Sequence, residues 1–211
     1  MLNRRGFVRS TIAALVAQLF APRSSRGAVS PPCPYLQNVG RDCATITWTT
    51  QEAGQDAVWF ANGGSLIERR ASVVRELLPA ETGLGASCYR HTVELSGLEP
   101  NTEYFYGLVQ DDVGLAANEP LSFRTACPGV LSFLAFGDSG SGSAEQQILT
   151  GWMKKETPSL VLHLGDLAYP RGSFQDFQAY YFDSCRDLMK RAAKDPVLSG
   201  YVAELGGRDV E

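Results

Sequence analysis

Three oxygen-bearing side chains in the second half of the chain, Asp138, Asp166 and Tyr169, have the types and spacing to hold a hard cation. Each aspartate follows a glycine at the end of an apolar run. The first run reads Val130-Leu131-Ser132-Phe133-Leu134-Ala135-Phe136-Gly137-Asp138-Ser139-Gly140, and the second Leu160-Val161-Leu162-His163-Leu164-Gly165-Asp166-Leu167-Ala168-Tyr169. Carboxylates placed side by side repel each other unless a cation sits between them. Two metal ions about 3.5 to 4 Å apart, the spacing of two-metal phosphoryl chemistry, can share one carboxylate as a bridge. Tyr169, three residues after Asp166, can turn its phenol back to the same place, and a phenolate oxygen suits a highly charged iron. An aspartate after a strand also caps helices and closes turns, so the chemistry requires that these side chains meet.

The intervening elements predict that they do. Both runs lack polar alternation and are bounded by turn residues, the pattern of parallel strands buried on both faces. Between them Ser143 to Glu156 opens with Ser143-Ala144-Glu145-Gln146, a possible capping box, and carries Ile148, Leu149, Trp152 and Met153 on one stripe, which predicts a helix. Strand, helix and strand make a βαβ unit with a right-handed crossover and parallel strands. Its carboxyl ends deliver Asp138 and Asp166 to one edge of the sheet, where open α/β folds bind ligands.

At these residues the chain resembles the purple acid phosphatases, a branch of the calcineurin-like metallophosphoesterases. That family carries Gly-Asp-x-Gly, Gly-Asp-x-x-Tyr, Gly-Asn-His-(Asp/Glu), Val-x-x-His and Gly-His-x-His in chain order. Gly137-Asp138-Ser139-Gly140 matches the first motif, and Gly165-Asp166-Leu167-Ala168-Tyr169 the second. The resemblance implies that Asp138 binds one metal, that Asp166 bridges two, and that Tyr169 binds iron. The implied cofactors are Fe(III) and a divalent Fe, Zn or Mn, and the implied activity is hydrolysis of small phosphomonoesters by metal-activated water. In the family an Asn and three His complete the ligand set, and a His protonates the leaving group. The only histidines here are His91 and His163. His91 lies in the β domain, and His163 reads as a satisfied core histidine inside its strand, away from the carboxyl end. No catalytic side chain beyond the metal ligands is assigned. The expectation is a truncated chain with an incomplete catalytic domain, inactive by itself, its half-built sheet exposing an apolar face.

Beyond Tyr169, Pro170-Arg171-Gly172 breaks the chain and Ser173 to Lys194 is expected to be helical, with Phe174, Phe177, Tyr180, Tyr181, Leu188 and Met189 as packing residues. Asp195-Pro196-Val197-Leu198 should open a third strand.

The first half divides differently. Residues 1–29 read as an export signal: Arg4-Arg5 with Phe7 resembles the twin-arginine pattern, and Thr11 to Ala21 is apolar but too short to span a bilayer. The implied destination is periplasmic or extracellular, with no stable membrane span after signal removal. Residues 30–126 read as an all-β sandwich. Ala44, Ile46 and Trp48 share one face of an alternating strand, Ala57 to Ala61 and Tyr89 to Leu95 supply further strands, and Leu121 to Thr125 a last one. Leu98-Glu99-Pro100-Asn101-Thr102-Glu103-Tyr104 resembles the tyrosine corner of fibronectin type III domains, which implies that Tyr104 bonds to upstream backbone. Larger purple acid phosphatases carry such a domain ahead of the catalytic one. Cys127-Pro128-Gly129 is the linker, and residues 130–211 are read as the start of the metallophosphoesterase domain.

With 44% apolar residues and a net charge of −4, the chain can bury real cores and is not basic enough to bind nucleic acid. Its five cysteines show no Cys-x-x-Cys spacing, which leaves zinc ribbons and thioredoxin chemistry unsupported. Cys33, Cys43 and Cys88 could pair within the first domain. An exported β-sandwich binding module and a non-functional fragment are the alternative readings.

Overall fold

The structure is a computed structural model that describes residues 34–62, 68–110, 113–115, 121–127, 129, 133–156, 158, 160–189 and 202–204. The export-signal segment and the strand expected from Asp195 lie outside them. Among the described residues no helix is long and apolar enough to cross a membrane.

The first half is a two-sheet sandwich. One sheet has the order β1 (Tyr35–Gln37), β2 (Cys43–Thr50), β6 (Cys88–Ser96) and β5 (Val73–Leu77). The other runs β4 (Glu68–Ala71), β3 (Asp56–Asn62), β7 (Glu103–Gln110) and β8 (Val113–Leu115), with β9 (Leu121–Arg124) also pairing with β7. Alternation does what the pattern demands. Ala44, Ile46 and Trp48 all face the core, where Leu36, Val58, Val93, Leu95, Tyr106 and Phe123 meet them. Cys43 and Cys88, open to pairing from sequence, are free thiols.

Strands β4 and β5 carry no sequence signal, because their residues are almost all exposed and charged or isolated apolar ones. They form by backbone pairing with β3 and β6, and the chain changes sheets between them at Ser72, whose backbone N–H and hydroxyl both donate to the Asp56 carbonyl, at 2.9 and 3.0 Å. A short α1 (Pro79–Thr82) follows β5.

The tyrosine corner is formed: the Glu99 N–H donates to the Tyr104 hydroxyl at 2.9 Å, and the ring stacks on Phe123. Tyr104→Phe leaves that N–H without its acceptor. The expected loss is about 1–2 kcal/mol in urea unfolding followed by tryptophan fluorescence.

The second half is a parallel sheet of order β10 (Phe133–Phe136), β11 (Leu160–His163) and β12 (Val202–Glu204). β10 and β11 are immediate neighbours in register from Phe133↔Leu160 to Phe136↔His163, joined through α2 (Ala144–Lys155). The third described strand is thus Val202–Glu204, parallel to β11.

Two expectations need correction. First, β10 is not buried on both faces. Phe136 packs against a cluster of Leu167, Ala168, Tyr181 and Cys185, while Phe133 on the opposite face is 56% exposed and Leu164, just beyond β11, 53%. Among the described residues the aromatic helical segment packs over the face that carries Phe136, and the opposite face keeps Phe133 and Leu164 exposed. Second, α2 does not turn its apolar stripe inward. Of Ile148, Leu149, Trp152 and Met153, only Met153 is buried, alongside Gln146 and Thr150. The cause is Gln146: its amide accepts from the Gly142 N–H and donates to the Tyr180 carbonyl, both at 2.7 Å, which fixes the rotation of the helix. Ser143 caps the helix, accepting from the Gln146 N–H at 3.2 Å, but Gln146 reaches back to Gly142 instead of closing the box on Ser143.

The aromatic segment is helical over its described part, as α3 (Phe174–Asp176), a π turn (Phe177–Phe182) and α4 (Asp183–Met189). In the π turn the Asp183 N–H reaches five residues back to Gln178. Tyr181 then faces the cluster, and Phe182 meets Tyr35 of β1 with ring centroids 5.2 Å apart.

Candidate metal centre

The strand ends build the site. After β10 and β11 the ladder continues into the two loops. Leu164 N–H donates to Phe136, Asp138 N–H to Gly165, Ser139 N–H to Asp166, and Tyr169 N–H to Gly140, at 2.8 to 3.1 Å. The two Gly-Asp segments are therefore zipped together by backbone bonds.

Glycine is required where they touch. A Cβ on Gly140 would lie 1.8 Å from the Leu167 carbonyl oxygen, and Gly140 has φ +78°. Both aspartates stand on left-handed backbone, Asp138 at φ 54° and Asp166 at 55°. L-residues enter that region at a cost of roughly 1–2 kcal/mol, and such strain concentrates at functional sites.

The result brings Asp138, Asp166 and Tyr169 together at one rim of the parallel sheet. The Tyr169 hydroxyl makes a short hydrogen bond to Asp138 Oδ1 and lies 3.0 Å from Asp166 Oδ2. Both carboxylates are exposed and Tyr169 is half-buried. These contacts, the Asp138 hydrogen bond foremost, hold the Tyr169 pKa well above the usual tyrosine value. Among the described residues no Lys or Arg pairs with either aspartate, and no cluster of three or more His, Cys, Asp or Glu forms.

The donor set fits a hard cation. A phenol has one proton and can satisfy one carboxylate at a time. Two negative groups are thus held against an oxygen that can neutralise neither. A cation would meet three oxygen ligands there.

Neither histidine reaches the rim. His91 is sealed in the sandwich, stacked on Trp48, with Asp56, Thr50 and Ser72 around its nitrogens. His163 is fully buried and satisfied, as expected. It is, however, the last residue of β11, at the carboxyl end and not away from it. The strand ends there because Gly165 leaves extended backbone at φ +114°. Sequence reasoning missed Ser139, whose hydroxyl lies 2.8 Å from His163 Nε2. The one available signal was a histidine two residues before a Gly-Asp turn.

Residues 31–125 match the family described as "Purple acid Phosphatase, N-terminal domain". The chain is 29% identical over 148 residues to purple acid phosphatase 23 of Arabidopsis thaliana, a match that covers 59% of this chain and 32% of that protein. Its fold is similar to that of purple acid phosphatase PPD1 from yellow lupin (Lupinus luteus) seeds, with a TM-score of 0.59 at 20% identity over 81% of this chain and 34% of the other. It is also similar to PhoD, with a TM-score of 0.51 at 16% identity over 85% of this chain and 40% of that one. The chain spans about a third of the length of the two purple acid phosphatases it matches. Over residues 31–125 it carries a purple acid phosphatase N-terminal domain, and it is a homologue of purple acid phosphatase 23.

Proposed function

We propose that Asp138, Asp166 and Tyr169 hold a hard metal ion, iron in the first instance, as part of the dinuclear centre of an exported acid phosphatase acting on small phosphomonoesters. The family resemblance supports a phosphatase-type metallophosphoesterase. The observation that carries the finer reading is the convergence of two carboxylates and a phenol on a single proton. An ion held there would supply Lewis acidity toward a phosphate ester and its attacking water. The chain's own part is to fix three oxygens in place: the zipped loops set the carboxylates, and the Tyr169 hydroxyl, held against both, would be the third ligand. Under this proposal residues 130–211 are the start of the catalytic domain, and residues 30–126 brace it.

Titration of the full chain with terbium(III), a hard trivalent probe with sensitised luminescence, tests the site. Wild type should bind one ion, and Asp166→Asn or Asp138→Asn should weaken binding by at least about tenfold. Equal affinity in all three proteins would remove the assignment. Export is checked separately, since replacing Arg4-Arg5 by Lys-Lys should block it if the twin-arginine reading of residues 1–29 is right.

A further inference from the structure

Two hydrogen bonds of one buried ring go to the two loops that carry the aspartates. His163 has no solvent exposure, and its ring is enclosed edge-on by Phe136 at 4.7 Å and Tyr181 at 5.4 Å. The Gly165 N–H points at His163 Nδ1 at 3.3 Å. A backbone N–H can only donate, so Nδ1 carries a lone pair and the ring proton of the neutral imidazole sits on Nε2. Nε2–H therefore donates to the Ser139 hydroxyl oxygen at 2.8 Å. Gly165 immediately precedes Asp166, and Ser139 immediately follows Asp138.

We propose that His163 is a positioning residue: one ring, fixed in one tautomer, ties the Gly165 amide to the Ser139 hydroxyl and so sets the spacing of the Asp138 and Asp166 carboxylates. Its meaning for metal binding rests on the reading of the rim given above. The imidazole adds a side-chain tie to the backbone zipper. The zipper bonds run between main-chain atoms, whereas the imidazole crosses from the end of one strand to a side chain of the opposite loop. Ser139 fills the variable position of Gly-Asp-x-Gly, and here that position is the second anchor of the brace. Outer residues that orient ligands in this way typically change metal affinity about 10- to 100-fold when removed.

The test uses the full chain with His163→Phe, Ser139→Ala, the double variant and His163→Gln, which keeps an N–H donor toward Ser139. In metal-free protein, amide exchange at Asp138, Ser139 and Gly165 should quicken by about tenfold or more in His163→Phe, while amides of the sandwich core stay unchanged. Ser139→Ala, a mild change that keeps the ring, should give a smaller acceleration at the same amides. Terbium(III) affinity should fall about tenfold or more in each single variant, and no further in the double, since both remove one shared bond. His163→Gln should recover most of the affinity. Unchanged exchange at these amides in both single variants overturns the brace whatever the metal result. Wild-type protein that binds no terbium, with the accelerated exchange still seen in the variants, would overturn the metal reading alone. If His163→Phe does not fold, Ser139→Ala decides on the same two measurements.

Discussion

Gly140→Ala is expected to part the two aspartate-bearing loops. The new Cβ would stand 1.8 Å from the Leu167 oxygen, 2.6 Å from its carbonyl carbon and 2.7 Å from Ala168 Cα, all backbone atoms that no rotamer change can move aside. The backbone is left-handed there, which adds roughly 1–2 kcal/mol of strain for any L side chain. Overpacking adds about 1–3 kcal/mol more. The bond from Tyr169 N–H to the Gly140 carbonyl lies in the same contact and opens with it, which carries the phenol away from Asp138. The second half should lose about 3 kcal/mol or more, seen as faster amide exchange at Tyr169 and Asp138 and as loss of terbium(III) binding. Gly151→Ala is the matched control. It sits inside α2, where an added Cβ would meet nothing within 4 Å, so the substitution should stabilise the helix by about 0.5–1 kcal/mol. A Gly140→Ala protein with wild-type stability and metal affinity would show that the loops can spread freely.

The second large effect is expected from acid, in the sandwich. Burial lowers the His91 pKa from its ordinary 6.5 to about 4. The Asp56 carboxylate, 3.3 Å from Nδ1, favours the charged ring and pulls the other way. That carboxylate oxygen also accepts from Trp48 Nε1 at 3.2 Å, which weakens its pull, and burial prevails. The sign follows from proton counting. Between about pH 6.5 and 4 the unfolded chain binds a proton at this ring and the folded chain does not. Stability is therefore full above about pH 6.5, declines as pH falls through that window, and levels off below about 4. The shift corresponds to at most about 3 kcal/mol. Urea unfolding followed by tryptophan fluorescence from about pH 7.5 to 4 should show the decline, and His91→Gln should flatten it. A wild-type profile without slope in that window would mean that the ring is charged in the fold.

How far the sequence could be read depended on whether position and burial coincide. In β2 they do: alternate residues face a core two sheets thick, and Ala44, Ile46 and Trp48 were legible as its inner face. In β4 and β5 they do not. Exposed edge strands need no apolar code: backbone ladders to β3 and β6 and the sheet change at Ser72 hold them, and those leave no mark on composition. The rim was legible because Gly-Asp at the ends of two parallel strands converts spacing along the chain into neighbourhood in space. The orientation of α2 was hidden by one polar side chain, Gln146, whose amide outweighs three apolar neighbours by bonding at both ends. Periodicity weighs hydrophobicity and is blind to such a bond. The π turn was hidden for a related reason. A single shift in backbone pairing at Asp183 leaves the residues helical, and it changes which aromatic rings point inward without changing their spacing along the chain.

Tyr35 belongs to the first strand of the sandwich, yet it packs against the cluster formed by Leu167, Ala168, Tyr181 and Cys185 and touches Phe182. Leu167 and Ala168 are the two residues between Asp166 and Tyr169. The all-β half thus serves as a footing for the turn that carries the rim, and trimming it away would strip support from the floor beneath those oxygens. A second half cut free of the sandwich would inherit an unfilled notch where Tyr35 had stood.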